Sequence, residues 1–167
     1  MFYYVEKFQV QANDAKIVTI NSSIGGIKDL LETFRIILRF PYSTVTNFNA
    51  FRDVMEELDW LQEKEIVVYH DSLPLLDEHE MACYIDVLNL IDVEWEKSAE
   101  RAAIVKRYYE NKGETIPADS WINQPPKKFN VYFRAEDKCF IETMIKLHSK
   151  DYRNCIHYDE RGMEYPY

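Results

Sequence analysis

The order of local patterns along the chain constrains its fold most strongly. Three short runs rich in β-branched and aromatic residues, "KIVTI" at 16–20, "EIVVYH" at 65–70 and "FNVYF" at 129–133, read as strands. Between them the apolar residues recur every three or four positions, which is the period of a helix with one buried face. Ile27, Leu30, Leu31, Phe34 and Leu38 mark a first helix after the "SSIGG" break, and Phe48, Phe51, Met55 and Leu58 mark a second. Pro41 ends the first, since it has no amide donor and holds Phe40 out of helical geometry. Thr46 or Asn47 caps the second. Pro74 and Asp77 open a third over about 77–97, striped by Met81, Tyr84, Ile85, Leu88, Ile91 and Trp95. Strand, helix, helix, strand, helix, strand is an alternation that favours parallel pairing through helical crossovers. The expected fold class is α/β: a small three-stranded parallel sheet packed by helices.

Past residue 97 the pattern is less regular. "AERAAIVKRYYENKG" has helical character with Gly113 to stop it, and "TIPADSWINQPPKK" reads as a loop. A helical run "CFIETMIKLHSK" and an aromatic tail, "YDERGMEYPY", close the chain. A content of 47% hydrophobic and 14% aromatic residues is that of a folded globule. No apolar run approaches the roughly 20 residues that a membrane span needs, and the N-terminus lacks a signal pattern. Cys83, Cys139 and Cys155, an odd number, read as free thiols in a reducing compartment, which points to the cytoplasm. Nothing resembles a self-complementary heptad, and the oligomeric state is left open.

The net charge of −9 argues against nucleic acid as a direct partner, because phosphate binding calls for a basic patch. The distribution is more telling than the total. Residues 46–100 hold 15 acids and 3 bases, a net of −12, while the remainder holds 14 acids and 17 bases. A field that lopsided attracts a basic partner and speeds its encounter.

The helix at 47–61 concentrates this feature. Opposite its apolar stripe lie Asn49, Asp53, Glu56 and Glu57, with only Arg52 as an intervening base. An ordinary solvated helix face usually mixes its signs. Here Asp53 and Glu57 stand one turn apart, where like charges cost roughly 0.2–0.5 kcal/mol per pair. Binding to a positive surface compensates such a cost.

The stretch "FPYSTVTNFNAFRDVMEELDW" at 40–60 resembles the signature segment of the barstar family, small acidic ribonuclease inhibitors in which a proline after the first helix precedes a loop and an Asn-x-Asp-Ala-x-x-Asp pattern. This chain has Asn47, Phe48, Asn49, Ala50, Phe51, Arg52 and Asp53 there, and the order of elements agrees over roughly 16–133. The resemblance implies a barstar-like domain at 1–133 with a C-terminal extension at 134–167 packed on it or continuing it. It also implies a stoichiometric protein inhibitor of a basic ribonuclease or nuclease toxin, with an immunity or antitoxin role, and not an enzyme. Family members lay the loop and second helix over the nuclease active site. The acid matching Asp53 mimics the substrate phosphate, so Ser43, Asn47, Asn49, Asp53, Glu56 and Glu57 form the expected partner-binding set. Asn49 stands where the pattern has Asp, Ser43, Thr44 and Val45 replace aromatic and glycine residues, and Arg52 replaces an aromatic. The acid that the family uses on its third helix falls among Asp86, Asn89 and Asp92. The alternative from another class is a barstar-fold interaction protein that binds a different basic protein without inhibiting a ribonuclease.

Other chemistries fit less well, and no cofactor or metal is expected. "HEMAC" at 79–83 lacks the second histidine of a zinc-protease helix. Cys139, His148, Cys155 and His157 match no regular zinc-knuckle spacing. No glycine-rich loop supplies an oxyanion hole or cradles a phosphate.

Overall fold

The computed structural model describes residues 2–9, 14–41, 45–118, 120–123, 127–150, 152 and 157–163. Its strands are β1 (Phe2–Val5), β2 (Ala15–Ile20), β3 (Glu65–His70) and β4 (Lys128–Arg134), and its α-helices are α1 (Ile27–Ile37), α2 (Phe48–Glu57), α3 (Glu78–Lys112) and α4 (Lys138–His148). The sheet is wholly parallel, in the order β1-β4-β3-β2. It therefore has four strands, one more than the three expected. The added strand is "FYYV", four half-buried residues paired to the outer edge of β4 with Phe2 opposite Val131. Too short to show an alternation, it lacks the flanking turn residues that announce the other strands.

One face of the sheet and all the helices share a single core. Val18, Ile20, Ile66, Val68, Phe129, Val131 and Phe133 from the strands meet Leu30, Leu31 and Phe34 of α1, Phe51 and Met55 of α2, Tyr84, Ile85 and Leu88 of α3, and Ile141 and Met144 of α4. On the opposite face Phe8 stacks on Tyr69 with ring centroids 4.0 Å apart and meets Tyr132 edge-on at 5.5 Å. Tyr3 stacks beside Tyr132 at 4.8 Å.

The helix ends explain where each element stops. α1 ends at Ile37, ahead of Pro41: Arg39 takes a positive φ of 52°, its N–H donates to the Ile36 carbonyl, and the Phe40 N–H donates to that of Arg35. That is a Schellman closure with arginine in the position usually held by glycine. Asn47, one of the two expected caps, opens α2 by accepting the Ala50 N–H on Oδ1 at 2.9 Å. Asp77 opens α3 in a reciprocal capping box with Glu80.

α3 is one helix of 35 residues, about 50 Å long, where the pattern suggested a helix to 97 and a separate helical stretch after it. It closes at Gly113, whose φ of 68° and N–H to the Glu110 carbonyl end the last turn. Among the described residues, no helix is long and apolar enough to cross a membrane.

Candidate functional site

α2 is fastened on its inner side at several points. Phe51 is fully buried and meets Phe34 edge-to-face at 4.7 Å, and Phe48 lies over Tyr84 at 6.0 Å. Two indoles close helix ends whose carbonyls have no partner within the helix. Trp95 Nε1 donates to the Met55 carbonyl at 2.9 Å, and Trp60 Nε1 donates to the Leu38 carbonyl at 2.9 Å. These tryptophans fix α2 against α3 and the end of α1.

With the inner side fixed, the outer side is determined. Asn49, Asp53 and Glu57 are all exposed, and so is Asp59 just past the helix. Among the described residues no base forms an ion pair with Asp53 or Glu57. Asn47 is exposed at the start of α2 with its carboxamide oxygen committed to the cap. Ser43 lies outside the described residues.

Glu56 is placed differently. It is half-buried, and its Oε1 accepts from Arg52 Nε at 2.6 Å. The same guanidinium reaches across to α3, where Nη2 donates to Glu94 Oε1 at 2.5 Å. The base that interrupted the acidic face in the sequence is thus turned into the groove between α2 and α3. The Glu94 side chain is 10% exposed, and burial, followed by the neighbouring Glu56 carboxyl, raises its pKa against the opposing pull of Arg52. Two carboxyls compete for one guanidinium, and the buried Glu94 holds its proton more tightly than a free carboxyl does.

The C-terminal segment reaches the same groove. The Tyr152 hydroxyl lies 2.9 and 2.7 Å from the two carboxylate oxygens of Asp86, and its ring packs on Leu90 and Val93 of α3. Its pKa is raised by burial first and then by Asp86, with Arg52 and Glu94 near enough to act on it. Further along, Arg101 Nε donates to the Gly162 carbonyl at 2.9 Å and its guanidinium lies 5.5 Å from the centre of the Tyr158 ring. Of the three third-helix candidates, Asp86 is covered by Tyr152, Asp92 is buried and Asn89 is half-buried.

Sequence reasoning missed Glu94 and Tyr152. The signal lay in α3 itself: Val87, Leu90 and Val93 add apolar residues beside the main stripe, and a helix apolar on more than one side is covered on more than one side. Among the described residues no group of three His, Cys, Asp or Glu side chains could hold a metal. Cys83 and Cys139 are free thiols, and Cys155 lies outside the described residues.

The parallel α/β fold thus presents on α2 an exposed acidic strip in which Asp53 and Glu57 have no ion-pair partner among the described residues, while Glu56 is paired with Arg52. The family model for barstar, the barnase inhibitor, matches residues 15–107, more than half of the chain, and the chain belongs to the barstar family. The match takes in β2 to β3 with α1 and α2 and most of α3, and leaves β1, β4, α4 and the C-terminal segment outside it. No single curated protein and no solved structure matches the chain.

Proposed function

We propose that this chain is a stoichiometric inhibitor of a basic ribonuclease, acting in the cytoplasm in an immunity or antitoxin role. The loop before α2 and α2 itself cover the nuclease active site, and Asp53 occupies the place of a substrate phosphate. One observation carries the reading: in a member of the barstar family, the exposed strip of α2 holds Asn49, Asp53 and Glu57 with no counter-charge among the described residues, while Arg52 is turned away. A carboxylate presented in this way can accept bidentate, charge-assisted hydrogen bonds from arginines that otherwise hold phosphate. The contact set is Ser43, Asn47, Asn49, Asp53 and Glu57, with Glu56 contributing through its hold on Arg52. Residues 1–133 are the inhibitor domain, and 134–167 continue it. Such a protein binds and blocks, and performs no chemistry of its own.

The test is a titration of a barnase-type ribonuclease with this protein while RNA hydrolysis is followed. Wild type should abolish hydrolysis at one equivalent. Asp53→Ala should weaken inhibition about 30-fold or more, in line with about 2–5 kcal/mol for truncating one member of a buried hydrogen-bonded charge pair. If wild type leaves hydrolysis untouched at large excess, ribonuclease inhibition is abandoned and a different basic protein becomes the expected partner.

A further inference from the structure

The arginine beside Asp53 poses a problem for any basic partner, because a cation on the approach face repels it and slows the encounter. An arginine paired only with Glu56, one turn along the same helix, would still lie on that face. The structure supplies a second acceptor from another element. Glu94 of α3, nine-tenths buried, takes the far end of the guanidinium at 2.5 Å, and the neighbouring Trp95 pins α2 through the Met55 carbonyl at 2.9 Å. The Oε2 atom of Glu94 is buried without a hydrogen-bond partner, and Oε1 takes the bond from Arg52 Nη2. On the far side, Tyr152 closes the groove by its hydrogen bond to Asp86.

We infer that Glu94 is a positioning residue that draws the Arg52 guanidinium off the face of α2 into the α2–α3 groove, so that Asp53 and Glu57 meet the partner without an adjacent cation. The inference rests on the reading of Asp53 given above. Glu94 touches no partner itself and acts only through Arg52. A neutral acceptor therefore serves as well as an acid: Glu94→Gln keeps the hydrogen bond and Glu94→Ala removes it. With Arg52 gone, Glu94 has nothing left to position.

The experiment measures association rates with a barnase-type ribonuclease at low salt for wild type, Glu94→Gln, Glu94→Ala, Arg52→Ala and the Arg52→Ala/Glu94→Ala pair, with Asp53→Ala alongside. In parallel, NMR follows exchange of the Arg52 guanidinium protons in the free protein. Glu94→Ala should slow association about 3- to 10-fold, the scale on which a single charge alters steering, and speed exchange at Arg52. Glu94→Gln should match wild type in both, and the double variant should associate as fast as Arg52→Ala. If Asp53→Ala weakens binding while Glu94→Ala associates at the wild-type rate, the positioning role is overturned and the Asp53 reading stands. If Asp53→Ala changes nothing, the Asp53 reading fails. The guanidinium signals then decide the rest, since unaltered exchange in Glu94→Ala overturns the positioning role as well.

Discussion

His70 and Tyr84 share a 2.9 Å hydrogen bond inside the core, and the direction of that bond is set by a third group. His70 Nδ1 lies 3.1 Å from the Tyr132 carbonyl oxygen, which can only accept, so Nδ1 carries the proton and Nε2 accepts from the Tyr84 hydroxyl. Phe133 stacks on the imidazole at 4.2 Å, and both His70 and Tyr84 are shut off from solvent. The polar atoms at the end of β3 are thereby paired beneath α3, where Tyr84 also meets Phe48 of α2.

This arrangement makes stability depend on pH in one direction. Burial, opposed only by the bond to Tyr132, pulls the His70 pKa from 6.5 down to about 3. Between those values the unfolded chain binds a proton that the folded chain refuses, so stability is complete above the unfolded value and falls as the pH drops below it. From pH 7.5 to 5 the loss from this group should be about 2 kcal/mol. Urea unfolding of wild type and His70→Gln at pH 7.5 and at pH 5 isolates it from the opposite contribution of the buried Glu94 carboxyl: the variant should be less stable at both, and its deficit should be smaller at pH 5. The same deficit at the two pH values would contradict the assignment of a neutral, buried imidazole.

Gly162 ties the C-terminal turn to α3. Its φ of 75° lies in the left-handed region, and a Cβ placed there would overlap Cγ2 of Val105, a β-branched and nearly buried side chain with little room to give. Gly162→Ala should therefore release the turn at 157–163 from α3, with a cost of about 1–3 kcal/mol from backbone strain and displaced packing. Hydrogen exchange at the Gly162 amide, which donates to the Asp159 carbonyl at 2.9 Å, reads the effect directly. Wild-type protection in the variant would mean that the turn is not held by this contact.

Strands β2, β3 and β4 were legible because each is a run of β-branched and aromatic residues between clear breaks, and Asn47 and Asp77 announced two helix starts through side-chain caps. β1 was not legible, since four residues show no period and their partner β4 is remote in sequence. The length of α3 was hidden at residues 98–112, where Val105 is buried by contacts that no local pattern reveals, Gly162 among them. At the candidate site the exposure of Asp53 followed from the stripe of Phe48, Phe51, Met55 and Leu58 on the other side of the same helix. The disposition of Arg52 did not follow, because its second acceptor, Glu94, lies 42 residues further on. Charge counting placed Arg52 among the acids of the face, and only tertiary packing takes it away from them.

A last prediction separates binding from stability at a single position. Asn49 is the second residue of α2, exposed, in a first turn that contains no acid. Asn49→Asp gains about 0.3–1 kcal/mol from the helix dipole and loses roughly 0.2–0.5 kcal/mol to Asp53 one turn away. The two partly offset each other, so the urea midpoint should shift by no more than about 0.8 kcal/mol in equivalent stability. Association with a basic ribonuclease has no such offset, because both carboxylates attract it. The variant should associate about 2- to 5-fold faster at low salt, and the gain should shrink as salt screens the added charge. Stopped-flow association at two ionic strengths measures both. A rate unchanged at low salt, with the fold intact, would remove the exposed strip of α2 from the encounter surface and move the search to the groove bordered by Tyr152.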